Sequence, residues 1–166
     1  MTDETSNNAP RLPDVTLTAS GSEREVNLRQ IGVPVILVFH GQDTGDAALE
    51  VNKTVRKQYA GVDEVFIASV IDLRSFPSMF RGMVQPALEK AYHNAAGRLP
   101  SEADAADLVV LLPDWDGSVH DAVGVKGSTE KAAVVVADGN ARIICLDQSD
   151  NLAKAALAAL AGLVGT

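Results

Sequence analysis

The sequence predicts an α/β domain with a mixed central sheet flanked by helices and an N-terminal β-hairpin. Three observations predict it. Val35-Ile36-Leu37-Val38-Phe39 is an unbroken apolar run, the pattern of a strand buried on both faces of a sheet. Two further apolar runs, residues 65–71 and 108–112, follow at intervals filled by helical periodicity, and that β-α-β order builds a parallel sheet. Residues 133–136 and 142–146 flank Asp138-Gly139-Asn140, a tight-turn signal that makes these two strands an antiparallel hairpin.

Each element has a local reason. Residues 1–12 read as a loose polar tail, with Pro10 and Pro13 marking entry to a domain over residues 13–166. Residues 15–18 alternate like a strand, Ser20-Gly21-Ser22 is a turn, and residues 25–28 return. Residues 40–45 form a loop with two glycines. Asp46 is placed to cap a helix that carries Ala48, Val51, Val55 and Tyr59 on one face and ends at Gly61. After the second core strand, Ser78 is placed to cap a helix with Phe80, Met83, Val84, Ala87, Leu88 and Ala91 on one face; Pro86 inside it predicts a kink or break. Residues 99–107 are an acidic connection, and Pro113 is expected to stop the third core strand. Asp116-Gly117 is a turn into a short helix over residues 118–123. Ser149 or Asp150 is expected to cap a last helix running through Leu163.

Composition narrows the function. An apolar fraction of 46% with 22% charged residues is ordinary for a soluble globular protein. A net charge of −8 with no basic patch disfavours nucleic acid and anionic membranes as partners. No apolar stretch reaches the roughly 18 residues of a membrane helix. The first ten residues lack the basic start and apolar run of a secretory signal. Cys145 is the only cysteine, so no intrachain disulfide forms, and the expected setting is a reducing cytoplasm.

Several segments resemble the redoxin family, the thioredoxin-like proteins that include peroxiredoxins of the alkyl hydroperoxide reductase/thiol-specific antioxidant kind. Leu12-Pro13-Asp14-Val15-Thr16-Leu17 and Val26-Asn27-Leu28, leading to Phe39, resemble the family's opening hairpin and first core strand. Leu112-Pro113-Asp114, Asp116-Gly117-Ser118 and Val123-Gly124-Val125 are similar to its strand, aspartate–glycine turn and short helix. Residues 133–143 are similar to its closing hairpin. The resemblance covers most of residues 12–147, and its specific part is the order of the segments. It implies a thioredoxin-like fold.

The resemblance also implies a reactive cysteine at the start of the helix after the first core strand, where free N–H groups and the helix dipole stabilise a thiolate. This stretch contains none. Thr44 and Ala47 stand on the two positions of a Cys-x-x-Cys motif, and the peroxiredoxin Thr-x-x-Cys pattern is missing. No proline follows Pro113, so the family's cis-proline is missing as well. Lys131 stands near the family's peroxide-holding arginine, keeping the charge but not the bidentate fork. Standard thiol peroxidase or disulfide reductase chemistry is not expected, and no catalytic residue is assigned.

Three uses of the fold stay open. The first is redox-inactive binding of a protein partner or small ligand at the loop that replaces the thiol site, through His40, Gln42, Asp43, Thr44, Trp115 and Lys131, with no cofactor. The second is an atypical thiol enzyme using Cys145 beside Lys131 or Arg142. The third is a non-thiol enzyme or metal site on residues 40–46, with His40, Asp43 and Asp46 and a contribution from His120. Against these stand plainer readings. Asp, Thr and Gly are ordinary turn and cap residues, a cysteine in an apolar strand usually packs, and the Tyr92-His93 pair near a helix end is usually solvated or capping. Asp43 and Asp46 also oppose anion binding at this helix start. Neither a nucleotide P-loop nor a Gly-x-Ser-x-Gly elbow is present. Redoxin-like domains often pair through a sheet edge or the loops around the active site, so a homodimer is compatible with the resemblance.

Overall fold

A computed structural model describes residues 10–99 and 104–164. Of the loose tail expected over residues 1–12, residues 1–9 lie outside the described residues, as does part of the acidic connection; residues 10–12 are tied down, with Arg11 bridging Arg142, the Ile143 N–H donating to the Pro10 carbonyl and Leu12 fully buried. The elements are β1 (Thr16–Thr18), β2 (Glu25–Asn27), β3 (Val35–His40), α1 (Asp46–Gln58), β4 (Phe66–Asp72), a 3-10 turn (Ser78–Phe80), α2 (Arg81–Ala96), α3 (Ala105–Leu108), β5 (Leu111–Asp114), α4 (Ser118–Val123), β6 (Ala133–Ala137), β7 (Ile143–Asp147) and α5 (Leu152–Val164).

The strand order of the main sheet is β5-β4-β3-β6-β7, and β1 and β2 make a separate antiparallel pair. β3 is central because all six of its residues are buried. It runs parallel to β4, from Val35 opposite Phe66 to His40 opposite Ile71. It runs antiparallel to β6, from Val35 opposite Ala137 to Phe39 opposite Ala133. β5 continues the parallel half, ending with Asp72 opposite Asp114. This register brings His40, Asp72 and Asp114 to one end of the sheet.

Alternation along β3 splits the core in two. Ile36 and Val38 pack with Val51 and Val55 of α1 and with Leu152, Ala156 and Leu160 of α5. Val35, Leu37 and Phe39 pack on the other face with Val26, Leu28, Val119 and Val123. Fully burying a Val, Leu or Phe side chain contributes about 1.5–3 kcal/mol, so these two layers dominate the fold's stability.

Several local expectations are corrected. The third core strand starts at Leu111, because residues 105–108 form a one-turn helix whose N-cap, Asp104, accepts from the Ala106 N–H. Pro113 lies inside β5 and does not stop it. β5 is an edge strand, where a missing N–H removes no central ladder bond. Asp46 is the first residue of α1 and makes no capping bond; Gly45 holds the cap position, and Asp46 adds only favourable charge to the first turn. α1 ends at Gln58 with Tyr59 as its C-cap, short of Gly61, and Arg56 donates to the carbonyls of Tyr59 and Gly61 just past the last turn. Neither Ser149 nor Asp150 caps α5. Asn151 does, its Oδ1 accepting from the Lys154 N–H at 3.3 Å.

The largest departure is α2. Ser78 does not cap it, and the helix continues through Pro86 without a break. Its predicted apolar face is only partly covered: Phe80 and Met83 are exposed, as is Met79 beside them, Val84 and Leu88 are half-buried, and Tyr92 is the one buried residue of the helix. Tyr92 packs over Gly21 in the turn of the first hairpin, where φ is +85° and a Cβ would collide with the ring. That position requires glycine on both counts.

Candidate functional site

The site is built at the end of the sheet where β3, β4 and β5 finish, the usual place for ligands in an α/β sheet. Two loops meet there: residues 41–45, leading into α1, and residues 124–132, leading from α4 into β6. They touch directly. A Cβ on Gly41 would stand 2.6 Å from Thr129 Cγ2 and 2.8 Å from Thr129 Cα, so only glycine lets the two backbones approach this closely.

Thr44 joins the loops. Its Oγ1 accepts from the Gly41 N–H at 2.8 Å and donates to the Ser128 carbonyl at 2.7 Å. Ser128 is completely buried, and its hydroxyl lies 2.8 Å from His120 Nε2. His120, also completely buried, places Nδ1 2.8 Å from Asp114 Oδ2. Asp114 further accepts from the backbone N–H groups of Val119 at 3.3 Å and His120 at 3.0 Å. A carboxylate only accepts, so Nδ1 carries a proton and Nε2 is left to accept from the Ser128 hydroxyl. The order Asp114–His120–Ser128 is that of a serine-nucleophile relay. Here the hydroxyl is enclosed, so the relay acts as a lock between β5, α4 and the second loop.

His40 closes β3 and is buried, with Nδ1 2.8 Å from the Gly41 carbonyl. Burial holds its pKa below the ordinary histidine value, offset in part by the Gly41 bond and reinforced by nearby His120. Asp72 lies next to Asp114 in the register. Burial pushes its carboxyl up, but bonds from the Arg74 side chain and backbone outweigh that and hold it below the ordinary range. Because the folded pKa is depressed, this contribution to stability is full above the unfolded carboxyl pKa and disappears as pH falls through the folded one. Acid titration of the unfolding midpoint is therefore expected to show a shallower loss below the ordinary carboxyl range in Asp72→Asn than in the parent. Parallel curves would remove Asp72 as a source of acid sensitivity.

Of the expected site residues, Thr44 and Lys131 come together with Asp46 and Glu50 around a cavity of about 290 Å³. Ser149, Asp150 and the start of α5 complete its wall. Lys131 Nζ pairs with Asp150 at 3.0 Å across exposed space. Gln42 and Asp43 are exposed on the first loop. Trp115 does not line this cavity; it is half-buried, with the Arg81 guanidinium 4.9 Å from its ring centre. His40, Asp43, Asp46 and His120 do not gather as a metal set. Among the described residues no three His, Cys, Asp or Glu side chains share a position that could hold an ion, and both His120 nitrogens already have partners.

Cys145 is far from this end. It pairs with Val136, which pairs with Ile36, four residues before His40 and two strands across. At about 3.3 Å per residue the offset along the strand alone is roughly 13 Å. Burial pushes the thiol up from its ordinary value and Asp147 pushes it further, the opposite of an activated cysteine.

The lock was only partly visible in the sequence. Asp114 closing a strand just before a short helix is a signal that it caps that helix. His120 stood out only as a metal ligand, and Ser128 gave no signal in a polar loop.

No family model and no curated protein matches the chain. Solved structures do match it. Pneumococcal exposed lipoprotein thioredoxin Etrx1 from Streptococcus pneumoniae has a TM-score of 0.62 at 17% identity, over 90% of this chain and 99% of its own. Peroxidoxin BcpB from Mycobacterium tuberculosis has 0.59 at 19%, over 93% and 96%. A thioredoxin-like protein from Aeropyrum pernix has 0.58 at 13%, over 98% and 94%. The chain has the thioredoxin-like fold these share, with a single cysteine, and that one outside the loop after the first core strand. No described helix is long and apolar enough to cross a membrane.

Proposed function

We propose that this chain is a thioredoxin-like domain that works by binding, without thiol chemistry, at the mouth formed by residues 41–47 and 126–132. The observation that carries this reading is the state of Thr44. At the place of a reactive thiol stands a hydroxyl whose donor and acceptor are both spent on holding the two loops together. Beside it opens the cavity of about 290 Å³, near the lower end of small-molecule pockets. Side chains of both signs line it, Asp46, Glu50 and Asp150 against Lys131. Between them, Ala47, Val51, Ala132, Leu152 and Ala153 make most of the exposed lining apolar, so it favours a small amphipathic ligand, or a partner side chain with an apolar body and a polar end. A cytoplasmic setting belongs to this reading, since the lone cysteine is neither paired nor activated.

Amide chemical-shift mapping against a library of small amphipathic compounds tests it. The expected shifts cluster on residues 44–51, 131–132 and 149–153, weaken in Lys131→Glu, and persist in Cys145→Ala. Peroxide or disulfide turnover that disappears in Cys145→Ala would overturn the reading, as would shifts confined to other surfaces.

A further inference from the structure

We infer that residues 126–131 form a movable wall of this mouth, latched from beneath at Ser128. The inference rests on the binding reading for its purpose, but its geometry stands alone. The segment is a self-contained turn: the N–H groups of Glu130 and Lys131 both donate to the Gly127 carbonyl, at 3.0 and 2.9 Å. Lys126, Gly127, Thr129, Glu130 and Lys131 are all exposed, and Ser128 alone points inward. Val125 and Ala132, both buried, anchor the two ends. Gly124 and Gly127, with φ of +82° and +67°, supply backbone at the near end that no side chain restricts.

Two kinds of tie hold the turn down. The exposed ties are the Gln148 amide to the Lys126 and Lys131 carbonyls and the Lys131–Asp150 ion pair. Water competes for these, so each contributes little. The inner ties both end on Ser128: its hydroxyl at buried His120 and its carbonyl at half-buried Thr44. The first breaks only if buried partners are left without bonds or water enters, and the second is partly shielded from water. The turn therefore moves as a unit when Ser128 releases. The movement frees the Thr44 hydroxyl, which already lines the cavity with Lys131 and Ala132, and uncovers the Ser128 hydroxyl and His120 Nε2 behind it.

Amide hydrogen exchange on the full chain tests the latch with no ligand present, so its outcome is separate from that of the binding reading. Ser128→Ala cuts the hydroxyl tie, Thr44→Val cuts the carbonyl tie, and Gly41→Ala wedges the first loop against Thr129. In each, exchange at residues 126–131 is expected to accelerate up to about tenfold relative to β3 and β6, the ratio that follows from losing one hydrogen bond or an equivalent tight contact. Thr44→Ser keeps the hydroxyl and is expected to stay near the parent rate. Equal acceleration in the turn and the sheet would mean general destabilisation and overturn the latch. So would an unchanged turn in Thr44→Val, or a fast turn in Thr44→Ser. If Ser128→Ala does not fold, Thr44→Val and Gly41→Ala decide the question.

Discussion

Replacing Asp114 with alanine is expected to lower the free energy of unfolding by about 3–5 kcal/mol, since several buried donors lose their acceptor at about 1–3 kcal/mol each. The carboxylate is 1% exposed and accepts three bonds, from two N–H groups at the start of α4 and from His120 Nδ1. Alanine leaves all three donors enclosed without an acceptor. Against a typical total stability of about 5–15 kcal/mol, that is a large share. Urea unfolding reads it as a lower midpoint at unchanged slope. Asp114→Asn should lose less. Its amide oxygen still accepts from the helix start, and the ring can adopt the other tautomer, accepting at Nδ1 and donating from Nε2 to Ser128. A loss below about 1 kcal/mol in the alanine variant would mean that water replaces the carboxylate and that the relay is no lock.

Phe39→Ala is expected to cost about 3–5 kcal/mol, the transfer term plus a cavity in the middle of the sheet face. The side chain is fully buried in the layer that joins β3 to the N-terminal hairpin and α4. Its ring also meets the His120 imidazole edge-on, with centroids 4.8 Å apart at 85°. The two variants therefore act on one neighbour. In a double-mutant cycle, Phe39→Ala and Asp114→Ala are expected to deviate from additivity by about 0.5–3 kcal/mol. Additive losses would show that the aromatic contact does not support the relay. Phe39→Leu, which keeps most of the volume, should recover the larger part of the stability.

Where the sequence was readable, burial had left a period or an unbroken run. β3 showed because all six positions are inside, and α1 because Val51 and Val55 repeat at helical spacing beneath the sheet. The closing hairpin showed because Asp138 punctuates it: its Oδ1 accepts from the N–H groups of Asn140 and Arg142. α2 misled for a related reason. Periodicity reveals that a helix has an apolar face but not what covers it, and in this chain Met79, Phe80 and Met83 remain outside. Pro113 misled because a proline stops a central strand but not an edge strand, and strand order is a property of the assembled sheet. The loop after β3 pointed to where the proposed mouth lies. Its working parts were hidden because Ser128 is reached from Thr44 across 84 positions of chain and from His120 across eight, with nothing in its own tetrapeptide to mark it.

The double engagement of Thr44 bears on what a thiol could do at the same position. A cysteine at this position would be a poorer acceptor for the Gly41 N–H and a poorer donor to the Ser128 carbonyl, because sulfur is a weak partner in both roles. A thiol placed here by one substitution would therefore loosen the join between the two loops, so the position that a thioredoxin-like fold offers to sulfur is shaped, in this chain, around a hydroxyl.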